Sequence, residues 1–178
     1  MIVFHVAVTV PPDYVARREP HRLAHLERLT ALRAAGAVIG GGPAPDGRSA
    51  DLFYRLQQPG QLTHVVEEDP YFVGGAWTGY APRTFNAFVE PWELAPVVTD
   101  GSRRATIVEG PVADLDMAQF ALIELRGAGR IAFGGLFPDG ESLAVVRTGD
   151  EAEARGWFAD TGFWRAEALR TRGLLHVL

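Results

Sequence analysis

A twelve-residue segment that occurs twice is the feature that most constrains the fold of this chain. The first copy, GAVIGGGPAPDG, begins at Gly36, and the second copy, GRIAFGGLFPDG, begins at Gly129. The copies align without a gap, so that Gly42 matches Gly135 and both copies end in Pro-Asp-Gly. A repeat that keeps its glycines, its apolar run and its turn in one register indicates a duplicated supersecondary unit.

Each copy of the repeat predicts the end of a helix, a strand and a hairpin turn. Gly36 and Gly129 follow long helical patterns, where glycine adopts the left-handed C-cap conformation at little cost. The apolar run that follows predicts a buried strand, and Pro-Asp-Gly predicts a turn into a second strand. The duplication by itself therefore predicts architecture and no chemistry.

Composition excludes several classes of protein. The chain has 178 residues, of which 47% are hydrophobic and 22% charged, so it has enough apolar side chains for a core and is not disordered. A formal net charge of -5 argues against a nucleic-acid partner. The absence of cysteine excludes disulfides, thiolate nucleophiles and zinc-thiolate sites.

The apolar N-terminal stretch, residues 1–10, predicts a first strand and not a membrane segment. It has no basic leader, is too short to cross a bilayer and stops at Pro11. No later stretch reaches the length of a transmembrane helix. We therefore expect no membrane partner and a cytoplasmic location.

The order of predicted elements is β-α-β-β-α-β in the first half of the chain. A helix at about 14–35, broken near Pro20, follows the first strand, a helix at 61–68 follows the hairpin, and a strand at 82–92 closes the unit. This is the ferredoxin-like order. The second half restarts at residue 104 and closes with a strand at 166–178.

The repeat thus divides the chain into two modules. We expect one ferredoxin-like unit over residues 1–95, a linker over 96–103 and a second, degenerate unit over 104–178.

Two polar residues of the first unit are candidates for chemistry. Arg22, His25 and Leu29 share one side of the first helix, which places His25 at the edge of the buried stripe. Asp69 precedes Pro70, which pushes its predecessor out of the helical region and ends the second helix. His25 and Asp69 are therefore held at defined positions near the core.

Other residues are candidates for contacts with a ligand. Alternation along the first strand places His5 and Thr9 on its more polar face, which could line a cavity. Phe72, Trp77 and Tyr80 follow Asp69 in a glycine-rich stretch, where they could contact a planar molecule. The alternatives are that His5 is satisfied at the surface of the sheet and that the aromatic side chains only fill the core.

The first unit resembles the YCII-related family in three motifs. These are Arg-x-x-His-Leu at Arg22, a Gly-Pro pair at Gly42 and an Asp-Pro-aromatic turn at Asp69. The resemblance covers about residues 1–95. The second half resembles the family only in its hairpin, its element order and the position of Asp160.

The resemblance implies an α+β fold in which two tandem ferredoxin-like (βαββαβ) units pack as an intrachain dimeric α+β barrel. It also implies a site that pairs His25 with Asp69. In the second unit Ala118 and Leu115 replace His25 and Arg22, so we expect one competent site in each chain. Pseudo-dimers of this kind often associate further, so a homodimer of pseudo-dimers is also expected.

A histidine bonded to a carboxylate is suited to acid/base chemistry near neutral pH. We therefore predict a cofactor-independent lyase or isomerase that acts on a planar, oxygenated small molecule, in secondary metabolism or aromatic catabolism. His25 and Asp69 are its predicted catalytic residues. Arg22 is predicted to hold a phenolate, enolate or carboxylate of the substrate.

Two alternative functions remain open from the sequence. The chain could be a non-catalytic small-molecule-binding or assembly protein, or a cofactor-free oxygenase of the dimeric α+β barrel type. His21 and His25 could bind a metal, but no third ligand has motif spacing, so no metal site is predicted. The glycine runs match neither a phosphate loop nor a dinucleotide fingerprint.

Overall fold

The computed structural model describes all 178 residues, which form two compact units. Unit 1 comprises Met1–Thr84, Ala95–Ser102 and Leu175–Leu178, and unit 2 comprises Phe85–Leu94 and Arg103–Leu174. None of the helices combines the length and the apolar character that crossing a membrane requires. The predicted boundaries of the two modules and of the linker at 96–103 stay predictions. The compact units are defined by contacts and combine non-consecutive segments, so they do not test boundaries along the sequence.

Unit 1 has the predicted β-α-β-β-α-β order, with each helical segment split in two. Its elements are β1 (Ile2–Thr9), α1 (Tyr14–Arg18), α2 (Arg22–Ala34), β2 (Val38–Pro43), β3 (Ser49–Leu56), α3 (Gln61–Glu67), α4 (Pro70–Val73) and β4 (Gly79–Val89), whose last residues belong to unit 2. The strands lie in the order β2-β3-β1-β4, with β1 and β2 antiparallel to β3.

Unit 2 repeats this order. Its elements are β5 (Arg104–Pro111), α5 (Leu115–Gly127), β6 (Ile131–Leu136), β7 (Glu141–Val146), α6 (Glu151–Ala159) and β8 (Arg170–Leu175), of which Leu175 is grouped with unit 1. The strand order β6-β7-β5-β8 is the counterpart of the order in unit 1. The predicted α+β fold with two βαββαβ units is confirmed.

Proline and helix geometry explain where the first predicted helix breaks. A 3-10 turn over Glu19–His21 separates α1 from α2, with Pro20 near its start, where a proline without an N–H is tolerated. The predicted last strand, 166–178, is shorter than expected, because a 3-10 turn occupies Ala166–Ala168.

Alternation along β1 places its apolar side chains in the core of unit 1. Phe4, Val6 and Val8 are buried in one cluster with Leu29 of α2. His5 lies on the opposite face of the strand, where its Nε2 is 2.6 Å from Asp51 Oδ1. The period of two that separates the faces of a strand accounts for both placements.

Close contact between backbones explains the repeated glycine. A Cβ atom added at Gly42 would overlap the carbonyl oxygen of Leu175 in unit 1, and one added at Gly135 would overlap that of Asn86 in unit 2. Because the obstructing atoms belong to the backbone, the neighbouring chain would have to shift. The two copies therefore keep the same glycine for the same steric reason.

Substitution of either repeated glycine by alanine should destabilise the protein. We expect Gly42→Ala and Gly135→Ala each to lower the free energy of unfolding by about 1–3 kcal/mol, the usual range for overpacking. Gly127→Ala is the control, because a Cβ there meets no atom within 4 Å and lies at the end of α5. Urea denaturation measures all three, and equal stability of Gly42→Ala and Gly127→Ala would contradict the steric explanation.

Candidate functional site

Unit 1 contains a partly enclosed cavity of about 90 Å³. Aliphatic side chains of α2 and β3 form part of its wall, and residues of the C-terminal segment form another part. The polar and aromatic side chains that line it are Tyr14, Arg18, Arg22, His25, Tyr71 and Trp77.

His25 and Asp69 meet at the wall of this cavity. His25 Nδ1 lies 2.7 Å from Asp69 Oδ1, and the relative exposure of the two residues is 7% and 0%. Asp69 is the N-cap of α4, where its Oδ1 also accepts the backbone N–H of Tyr71 at 2.8 Å. Pro70 occupies the first turn of α4, a position that suits its fixed φ. One carboxylate thus starts a helix and holds the histidine.

The Asp69 contact defines which nitrogen of His25 is available for chemistry. A carboxylate accepts hydrogen bonds, so Nδ1 carries the proton and Nε2 keeps its lone pair in the neutral ring. Nε2 has no hydrogen-bond partner in the protein. The imidazole can therefore accept a proton from a molecule in the cavity.

Aromatic rings surround the imidazole. The ring of Tyr71 stacks on His25 with centroids 3.7 Å apart and an interplanar angle of 11°. Trp77 meets His25 edge to face, with centroids 5.2 Å apart. Burial raises the pKa of Tyr71, so its hydroxyl stays protonated and can donate a hydrogen bond. These rings give the cavity flat walls next to the histidine.

The second oxygen of Asp69 is buried. Asp69 Oδ2 and the hydroxyl of Tyr54 are both buried without a hydrogen-bond partner. Burial, followed by the negative charge of Asp69, raises the pKa of Tyr54. The two hydrogen bonds to Oδ1 are therefore the main compensation for the carboxylate charge, which favours a tight bond to His25.

Only some of the predicted ligand contacts line the cavity. Arg22 and Trp77 do, and the structure adds Tyr14, Arg18 and Tyr71, which were not predicted as site residues. Arg18 precedes Arg22 by four residues, and this spacing was the signal that could have found it.

His5 and Thr9 do not line this cavity, contrary to expectation. His5 points to the face of β1 opposite to the core of α2 and bonds Asp51. Thr9 is exposed at the end of β1, where its carbonyl oxygen accepts the backbone N–H of Thr78 at 2.9 Å.

Phe72 and Tyr80 also lie outside the cavity lining. Their rings meet edge to face with centroids 6.0 Å apart, and the Tyr80 hydroxyl donates to Glu67 Oε1 at 2.8 Å. The short helix α4 explains the difference, because it turns Tyr71 inward and leaves Phe72 half-buried.

Unit 2 has no counterpart of the histidine and carboxylate pair. Ala118 and Leu115 occupy the positions of His25 and Arg22 in the aligned repeat. Asp160 is exposed at the C-terminal end of α6, so it does not cap a following helix as Asp69 does. No group of three or more histidine or acidic side chains is placed to hold a metal ion.

The fold is similar to that of solved dimeric α+β barrel proteins. A protein from Lactobacillus acidophilus, provisionally named a monooxygenase, aligns over 99% of this chain and 94% of its own, with a TM-score of 0.62 and 12% identity. A provisional monooxygenase from Fusobacterium nucleatum aligns over 99% and 92%, with a TM-score of 0.58 and 9% identity.

A heme-binding protein from Thermus thermophilus also aligns over 98% of this chain and 90% of its own, with a TM-score of 0.56 and 9% identity. At such identities the likeness is one of fold. The chain matches no protein-family model and no curated protein.

The double role of Asp69 can be separated by substitution. Asp69→Ala removes both the cap and the partner of His25, and we expect it to lower the free energy of unfolding by about 2–4 kcal/mol. Asp69→Asn keeps an acceptor for Tyr71 N–H and for His25, so its loss should be smaller. Urea denaturation compares the two variants, and equal losses would show that hydrogen bonding by residue 69 does not stabilise α4.

Proposed function

We propose that the chain is a cofactor-independent acid/base enzyme of the YCII-related kind, a lyase or isomerase for a planar, oxygenated small molecule. The observation that supports this most directly is the 2.7 Å contact between His25 and Asp69 at the wall of a cavity. In this proposal His25 is the catalytic acid and base, and Asp69 holds its orientation.

The proposed reaction is a proton transfer. His25 Nε2 accepts a proton from a C–H or O–H group of the substrate, and the Asp69 carboxylate stabilises the imidazolium that forms. In an isomerisation His25 returns the proton to another atom of the same molecule. In an elimination it gives the proton to the departing group, and the electron pair of the broken C–H bond forms the new double bond.

The size of the cavity limits the substrate. A cavity of roughly 150 Å³ admits benzene in other proteins, whereas this cavity measures about 90 Å³. The enclosed part is therefore smaller than one aromatic ring, so part of a bound ring lies toward the opening. The stacked pair of Tyr71 and His25 and the perpendicular Trp77 favour a flat ring over a branched aliphatic molecule.

The YCII-related assignment rests on motifs that the fold brings to one place. Arg22, His25 and Asp69 belong to two motifs that are distant in sequence, and all three lie in or next to the same cavity. The Gly-Pro motif at Gly42 and Pro43 lines that cavity as well.

Removal of the imidazole should remove turnover. Solvent deuterium incorporation into single-ring enolisable ketones and hydroquinones, followed by proton NMR in D₂O, measures proton abstraction directly. We expect His25→Gln to lower the rate by about 10²–10⁴-fold, the usual contribution of a general base. His64→Gln is the control, because His64 is exposed on α3. Undiminished exchange in His25→Gln would exclude His25 from the mechanism.

The same molecules distinguish the two other classes that the sequence left open. Consumption of dissolved oxygen with these substrates would identify a cofactor-free oxygenase. Tight binding without deuterium exchange, release of a product or oxygen uptake would identify a binding protein.

Association into homodimers remains part of the proposal. Apolar side chains on α5 are exposed, with relative exposures of 52% for Leu115, 61% for Phe120 and 42% for Ile123. The aligned positions of α2 hold Arg22, Glu27 and Thr30, so this apolar surface is particular to α5.

The partner that we propose for this surface is another molecule of the same chain, which presents an identical apolar helix. Light scattering of the wild-type protein and of Phe120→Glu tests it, and equal masses would contradict it.

A further inference from the structure

Two guanidinium groups of the cavity form no ion pair with an aspartate or glutamate side chain. Arg18 ends α1 and Arg22 begins α2, and both line the cavity, whose lining contains no aspartate or glutamate side chain. Arg18 Nε is buried without a hydrogen-bond partner, and the guanidinium carbon lies 5.1 Å from the ring centroid of Tyr14. Arg22 Nη2 donates to the carbonyl oxygen of Thr99 at 3.1 Å, which leaves its other N–H groups available.

The neighbouring acidic side chains form no ion pair with Arg18 or Arg22. Asp100 is exposed, and its Oδ1 accepts the backbone N–H of Ser102 at 2.9 Å. Glu19 is exposed and forms no ion pair with either arginine. By contrast, the adjacent Arg17 is bonded to Asp13 at 2.8 Å. A half-buried guanidinium is usually paired, because desolvation of its charge is costly, so two unpaired ones in a single cavity favour an anionic ligand.

The hydroxyl of Tyr71 belongs to the same part of the cavity. Burial raises the pKa of Tyr71, Tyr14 and the Glu19 carboxylate add to that rise, and the positive charges of Arg18 and Arg22 oppose it, so both guanidinium groups lie within electrostatic reach of the phenol. A protonated phenol donates a hydrogen bond and accepts none from a carboxylate. Toward a carboxylate, which only accepts, the two guanidinium groups and the phenol all act as donors.

We propose that Arg18, Arg22 and the Tyr71 hydroxyl form a subsite for a carboxylate, so that the ligand of this cavity is a single-ring carboxylic acid. Guanidinium N–H groups match the planar geometry of a carboxylate, which they bind with two parallel hydrogen bonds. Anchoring the carboxylate holds the attached ring against the stacked Tyr71 and His25. This inference rests on the proposed function because it names a class of substrate. The binding of a carboxylate to the subsite, however, does not require turnover.

Benzoate and benzamide test the subsite, because they share a ring and differ in charge. Isothermal titration calorimetry with the full chain should give a Kd for benzoate at least tenfold lower than that for benzamide. Arg18→Gln/Arg22→Gln should remove this preference, and each single variant should reduce it at least threefold. Arg17→Gln is the matched control, because it removes a positive charge one residue away outside the cavity, and it should leave the preference unchanged.

Three results would overturn the subsite: equal affinity for benzoate and benzamide, a preference that survives in a folded double variant, or inorganic phosphate that competes as tightly as benzoate. The single variants decide the question if the double variant does not fold. His25→Ala separates the subsite from the proposed function, since it should keep the preference for benzoate. If Arg18→Gln reduces the preference for benzoate while His25→Gln keeps full deuterium exchange, the subsite proposal is supported and the acid/base role of His25 is refuted.

Discussion

The buried hydrogen bond between His25 and Asp69 is the interaction on which the organisation of unit 1 depends. Asp69 starts α4 by accepting the Tyr71 N–H, and the same oxygen fixes the imidazole on α2. Because α4 is one turn long, its position relies on this cap more than a longer helix would. The cap in turn places Tyr71 flat against His25, which forms one wall of the cavity.

This arrangement links stability to chemistry through one carboxylate. A fully buried aspartate is costly unless its charge is compensated, and here Oδ1 has two donors while Oδ2 has none. The histidine is therefore held firmly in one tautomer, and its second nitrogen remains available. The positive charges of Arg18 and Arg22 are likewise not paired with any acidic side chain of the cavity wall. A negatively charged ligand would complete both the electrostatics and the hydrogen bonding of the site.

The two copies show which parts of the duplicated unit serve the fold. Gly42 and Gly135 keep their identity because a strand carbonyl oxygen lies against each of them, a constraint that applies in both units. The histidine is not repeated in this way. At the position aligned with His25, the second copy has Ala118, which is fully buried. The two copies therefore share the close backbone contact and differ in the candidate chemistry.

The sequence by itself determined the duplication and the β-α-β-β-α-β order, because the glycines and the Pro70 boundary are local patterns. The pairing of His25 with Asp69 was only implied by the family resemblance, since no local pattern joins residues this far apart. The tertiary structure alone decided which side chains share the cavity. Alternation along β1 leaves open which face meets the site, and His5 lies on the other face, bonded to Asp51. Likewise, the turn of α4 selects Tyr71 over Phe72 for the cavity wall. These placements depend on how short elements pack, which spacing along a chain does not specify.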